Sequence, residues 1–148
     1  MVKVFIAPRR YVQGVGVIND IGKYVAPLGK RVLVAWGPVV SEQFNAVVKK
    51  SFEENDLVLI PFNFSGECDR GQIGLGVEKA KAEKAEVVVG LCGGKAIDLA
   101  KAVSIEIDAK LVTAPTIASN DAPTSAATVY YTEEGSFDGW GIWPRNPD

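Results

Sequence analysis

The chain has 148 residues, 47% of them apolar and 23% charged, with a formal net charge of −2. That length supports one domain with a core of its own, and a charge this close to zero gives no footprint for nucleic acid. No apolar run reaches the roughly 20 residues that span a bilayer, and Met1-Val2-Lys3-Val4-Phe5-Ile6 is broken too soon by Pro8-Arg9-Arg10 to be a secretory signal, so no membrane partner is expected. Cys68 and Cys92, in an α/β chain without such a signal, read as cytoplasmic thiols. There is no histidine. This excludes a Ser-His-Asp or Cys-His mechanism and any His-ligated metal built from these residues alone, and it removes the commonest general base at neutral pH.

In chain order, residues 3–13 predict an extended edge element and residues 18–25 a short helix. Residues 31–36 are an apolar run that predicts a strand. Residues 41–55 carry Phe44, Val47, Val48 and Phe52 at helical spacing. Residues 57–62 predict a second strand that stops around Pro61, and residues 71–86 a surface helix with Ile73, Leu75, Val77, Ala80 and Ala85 among Lys and Glu. Residues 86–91 predict a third strand. Residues 94–107 predict a helix with Ala96, Leu99, Ala100 and Val103 on one face, and residues 110–114 a fourth strand. Strands alternating with helices imply an α/β fold, a Rossmann-like parallel sheet with helices on both faces. Residues 115–125 form a small, polar segment too long for an ordinary connection. Residues 128–132 and 137–143 then predict a β-hairpin around Glu133-Glu134-Gly135. The turn-rich end, Trp143-Pro144-Arg145-Asn146-Pro147-Asp148, reads as leading into a further element.

The richest stretch is Gly90-Leu91-Cys92-Gly93-Gly94-Lys95, followed by Asp98 and Lys101. A strand, two glycines and a helix start, in that order, form a cradle for a phosphate. The bland alternative is a tight turn that needs positive φ. Lys95 falls in the first helical turn, where a cation is unfavourable unless it meets an anion; it either faces a phosphate or pairs with Asp98. Asp98 either bonds a ribose or nicotinamide group or pairs with Lys95 and Lys101 on its own helix. Thr116, Ser119, Asn120, Asp121, Thr124 and Ser125 belong to a loop that leaves the sheet where a parallel sheet takes its ligand. Asp121 there either accepts hydrogen bonds from a polyol or merely makes a turn or cap. Gly37 stands where dinucleotide folds often place an acid for the ribose 2′-hydroxyl, so a tight preference for NAD over NADP is not assured. Cys92 reads as a small buried residue or an oxidisable thiol.

The glycine motif with Asp98 and Lys101 resembles the phosphate-binding motif of the metal-dependent, iron-containing alcohol dehydrogenases. Pro115-Thr116-Ile117-Ala118-Ser119-Asn120-Asp121-Ala122-Pro123-Thr124-Ser125, Phe64-Ser65-Gly66-Glu67-Cys68 and Tyr131-Thr132-Glu133-Glu134-Gly135 are similar to the glycerol dehydrogenase group within that family. The resemblance implies oxidation of glycerol to dihydroxyacetone with NAD and a zinc ion in full-length members. It implies that residues 1–148 form the dinucleotide-binding domain. Gly93, Gly94, Lys95 and Asp98 would contact the dinucleotide, Thr116, Ser119, Ser125, Ala127 and Tyr131 would complete that shell, and Asp121 would meet glycerol. The zinc ligands, one aspartate and two histidines, would lie in a helical domain beyond this sequence. The sequence departs from the pattern at Cys92, where a glycine is expected, at Gly37, where an aspartate is, and at Asn120, where a threonine is. The expectation is a chain that binds NAD, with NADP admissible, and is inactive alone. It is either one half of an enzyme, as a homo-oligomer or with a separate helical half, or a non-catalytic nucleotide-binding or interaction module.

Overall fold

The computed structural model describes residues 8–142. Four parallel strands, β1 (Arg31–Trp36), β2 (Val58–Asn63), β3 (Val87–Cys92) and β4 (Lys110–Pro115), alternate with helices α2 (Pro38–Glu53), α3 (Arg70–Ala82) and α4 (Gly94–Glu106). A 3-10 turn at Val17–Asp20 runs into a short helix, α1 (Ile21–Val25). Strands β5 (Ala127–Tyr131) and β6 (Phe137–Ile142) form a separate antiparallel hairpin. No helix among the described residues is long and apolar enough to cross a membrane.

Side-chain alternation decides which face each helix takes. Val32, Val34 and Trp36 of β1, with Val87, Val89 and Leu91 of β3, pack against α1 and α2. Leu33, Ala35 and Val88 face the other way, against Ala80 of α3 and Leu99, Ala100 and Val103 of α4. A strand buried on both faces reads as a continuous apolar run, as β1 and β3 do.

The strand order is β2-β1-β3-β4. The chain moves outward from β1 to β2, returns past β1, and continues through β3 to β4. Right-handed crossovers then place α2 on one face and α3 and α4 on the other, as the two cores show. The reversal leaves a crevice between the carboxyl ends of β1 and β3, where sheets of this kind hold ligands.

Four local expectations change. The strand β2 runs through Pro61 to Asn63, because an edge strand tolerates a residue without an N–H. Helix α2 begins at Pro38, whose fixed φ suits the first helical position. Helix α3 begins at Arg70, because the Gln72 N–H donates to the Asp69 carboxylate at 2.8 Å. Of the expected N-terminal edge element, residues 8–13 form no strand and pair with no sheet, while residues 3–7 and Trp143 lie outside the described residues.

Two contacts fix α4. At Gly90 the helix lies on bare strand backbone: a Cβ there would stand 2.9 Å from the Ala100 Cβ and 3.0 Å from the Ile97 Cα. A buried ion pair then joins α4 to the hairpin. Lys101 Nζ lies 3.1 Å from Asp98 Oδ1 and donates to the Ala127 carbonyl at 2.7 Å, while the Val129 N–H donates to Asp98 Oδ2 at 3.1 Å. Burial pushes the Asp98 carboxyl up, against the opposing pull of Lys101 and the Val129 N–H. The hairpin is held from its other side too. Arg70 lies 5.8 Å from the Tyr130 ring centre and 3.3 Å from the Asp138 carboxylate.

Lys101→Met leaves Asp98 buried without its counter-charge, and a loss of about 3–5 kcal/mol is expected in urea unfolding. Adding Asp98→Asn to that variant returns a large part of it. If Lys101→Met unfolds at the parent's urea concentration, the pair does not hold the hairpin. Gly90→Ala forces α4 off the strand, and a cost of about 1–3 kcal/mol is expected in the same measurement.

Candidate dinucleotide site

The strand β3 ends at Cys92 and α4 begins at Gly94, so Gly93 is the N-cap residue. Its φ of −79° and ψ of −178° are extended backbone open to any residue. Positive φ is therefore not the reason for glycine here; space is. A Cβ on Gly93 would lie 3.2 Å from the Ile117 Cδ1, and one on Gly94 would lie 3.3 Å from the Asn120 Oδ1. The loop after β4 closes onto the turn, and a side chain at either glycine would be tight against Ile117 or Asn120. Among the described residues no side chain caps α4, so its first-turn amides remain available to an outside acceptor.

Lys95 projects from that first turn. It does not pair with Asp98: its Nζ lies 2.5 Å from the Glu67 Oε1. Asp98 is one turn further along and pairs with Lys101. Of the two roles open to Lys95 and Asp98 in the sequence, mutual pairing is removed.

Asn120 stands over the same turn. Both polar atoms of its side chain are closed off from solvent and have no partner among the described residues. Leaving such a group unsatisfied costs about 1–3 kcal/mol. The fit to a phosphorylated ligand follows from three things: first-turn amides that donate, a lysine ammonium, and a buried amide offering both a donor and an acceptor.

The remaining loop residues are positioned by backbone bonds. The Thr116 N–H donates to the Cys92 carbonyl at 3.1 Å, which fastens the loop's start beside the glycines. The Asp121 carbonyl accepts from the Thr124 and Ser125 N–H groups, each at 3.1 Å. The exposed Asp121 carboxylate takes no part in that turn, and it adds a small upward push to Asp98. The Ser125 hydroxyl accepts from the Ala127 N–H at 3.0 Å, and Ser119 is exposed in the same loop. The Tyr131 N–H donates to the Cys68 carbonyl at 3.1 Å. Gly93, Gly94, Lys95, Thr116 and Asn120 thus gather at the end of β3, whereas the bonds of Asp98, Ala127 and Tyr131 hold the hairpin.

Across the crevice, Gly37 follows β1 and caps α2 with an ordinary φ of −80°. A Cβ built on it would lie 3.6 Å from the Cys92 Sγ, so the two strand ends meet at the thiol. Both cysteines are free, and burial pushes the Cys68 thiol up to about 12. A cavity of ≈ 770 Å³ adjoins the loop on the α1 side, lined among others by Arg9, Tyr11, Tyr24, Val112, Thr116 and Thr124. It borders the crevice without including the glycine turn.

Two roles at this candidate site carried no signal in the sequence. Glu67 precedes Lys95 by 28 positions with no spacing that links them, and Asn120, read as one of the loop's polar groups, gave no sign that its amide is unpartnered. For a zinc ion the residues do not fit. The sequence contains no histidine, and among the described residues no three of His, Cys, Asp and Glu cluster to hold a metal.

The chain matches the iron-containing alcohol dehydrogenase family over residues 8–148. Over its full length it is 38% identical to the glycerol dehydrogenase of Escherichia coli and 38% identical to the glycolaldehyde reductase of Halobacterium salinarum, and it spans 40% of each of those proteins. The crystal structure of a probable glycerol dehydrogenase from Sinorhizobium meliloti superposes with a TM-score of 0.90 at 39% identity, covering 99% of this chain and 40% of that one. The chain spans about two fifths of the length of the relatives it matches, and it belongs to the iron-containing alcohol dehydrogenase family.

Proposed function

We propose that residues 1–148 form the dinucleotide-binding domain of a dehydrogenase acting on glycerol or a similarly small polyol, with NAD as cofactor and NADP also admissible. The observation that carries this reading is the uncapped start of α4 at Gly93-Gly94, with the Lys95 ammonium beside it and the unpartnered Asn120 amide above it. In this reading the first-turn amides and Lys95 hold the pyrophosphate. The hydroxyls of Thr116, Ser119 and Ser125 are within the loop that covers it, and Asp98, Ala127 and Tyr131 complete the shell by fixing the hairpin alongside. Bound NAD supplies the hydride acceptor. Asp121, exposed and uncommitted, presents its carboxylate to the hydroxyls of the polyol. The relatives' names, glycerol dehydrogenase and glycolaldehyde reductase, both denote small hydroxylated compounds, which supports the substrate class. The sequence has no histidine and the described residues form no cluster for a metal, so the domain alone is expected to bind dinucleotide without oxidising glycerol.

Titration with NAD and with NADP, followed by tryptophan fluorescence, is expected to give a saturable response. Lys95→Ala removes a charge-assisted contact and is expected to weaken binding about tenfold. A flat response to both dinucleotides would leave the chain as an interaction module of the same fold. Gly37→Asp tests the cofactor preference. Its Cβ has ordinary contact distance to the Cys92 Sγ, and its carboxylate attracts a ribose 2′-hydroxyl and repels a 2′-phosphate. The NADP dissociation constant is expected to rise about tenfold or more relative to that for NAD; an unchanged ratio would place the 2′ position elsewhere.

A further inference from the structure

We infer that Glu67 is a built-in competitor for the dinucleotide phosphate, a carboxylate held on Lys95 that loosens cofactor binding. The inference rests on the dinucleotide reading of the α4 turn and adds a residue that sets its affinity.

The geometry is specific. Glu67 Oε1 lies 2.5 Å from Lys95 Nζ, and the Glu67 side chain is 19% exposed against 54% for Lys95. The carboxylate is the anchored partner, and the lysine comes to it. The backbone that follows Glu67 is pinned. The next residue, Cys68, is fully buried and accepts the Tyr131 N–H, and Asp69 caps α3 through the Gln72 N–H. The hairpin turn closes the remaining side, since a Cβ on Gly135 would lie 3.7 Å from Glu67 Oε1.

The sign of the effect follows from charge. A carboxylate near the start of a helix is favoured by the helix dipole, so Glu67 is a resident anion on the cation that awaits a phosphate. If an arriving phosphate takes Lys95 from Glu67, the ion pair must break first. If the ammonium keeps both, using separate N–H donors, two negative charges sit around one lysine and repel each other. Either route weakens phosphate binding.

The test is calorimetric titration of NAD and of inorganic pyrophosphate into the parent chain, Glu67→Gln, Glu67→Asp and Lys95→Met. Glu67→Gln is expected to tighten both ligands by about three- to tenfold. Glu67→Asp keeps the charge but withdraws it from Lys95, and is expected to tighten them by less. In the Lys95→Met background, Glu67→Gln is expected to change little. If Glu67→Gln binds both ligands as the parent does, or more weakly, Glu67 only positions Lys95 and the inference fails, while NAD binding by the parent keeps the dinucleotide reading. If pyrophosphate tightens in Glu67→Gln but NAD binds neither protein, the competitor role stands and the dinucleotide reading falls. If neither ligand binds any variant, both fall. Thermal melts of each variant identify a misfolded one, and Glu67→Asp, which retains both charge and carboxylate, then carries the comparison.

Discussion

The arrangement at the crevice depends on one buried carboxylate. Asp98 sits one turn into α4, takes Lys101 on one oxygen and the Val129 N–H on the other, and so ties the helix carrying the glycine turn to the hairpin beside it. Lys101 completes the bracket by reaching the Ala127 carbonyl. The hairpin shares no sheet with the rest of the domain. A two-stranded hairpin is marginal by itself, so its place must come from side chains and loop bonds. Arg70 and the Cys68 carbonyl supply the other attachments. The turn at Gly135 consequently lies against Glu67, and Glu67 against Lys95.

Charge around the crevice is therefore layered. The inner pair, Asp98 with Lys101, is buried and structural. The outer pair, Glu67 with Lys95, is partly exposed and lies at the mouth of the helix. Pairs of the first kind are expensive to break because each ion left behind stays desolvated. Pairs of the second kind are cheap to rearrange because water and salt can replace either partner. On the dinucleotide reading proposed above, an exchangeable pair suits a place where a ligand comes and goes. A permanent one suits the bracket that keeps the place in shape.

Much of the fold was legible in the sequence. The apolar runs at β1 and β3 and the helical stripe of α4 follow from burial on two faces and on one. Element ends were less legible. Pro61 reads as a strand terminator, but its tolerance comes from β2 being an edge strand, which is a property of strand order and not of the local residues. The reversal between β1 and β3 is likewise a long-range outcome. At the site, the glycines, Lys95 and the loop were legible because they are contiguous motifs. The pairing of Asp98 with Lys101 was among the local options, but the partner of Lys95 was not. Lys95 and Asp98 are three residues apart on one helix, which favours pairing by local rules, yet Asp98 takes Lys101 of the same helix and Lys95 takes Glu67 from the loop before α3. Asn120 carries no sequence signal that its amide is shut away unpaired.

The contact at Gly90 bears on how mutational data for this domain will read. Helix α4 rests there on strand backbone with no room for a methyl group, and the same rigid helix carries the amides of Gly94 and Lys95. Anything that lifts the helix at its middle also re-aims its first turn. If the turn holds a dinucleotide as proposed, a survey of variants scored only by cofactor affinity would place Gly90 among the ligand contacts, although the residue is buried beneath the helix. Affinity and unfolding must be scored together to separate the floor of the site from its walls.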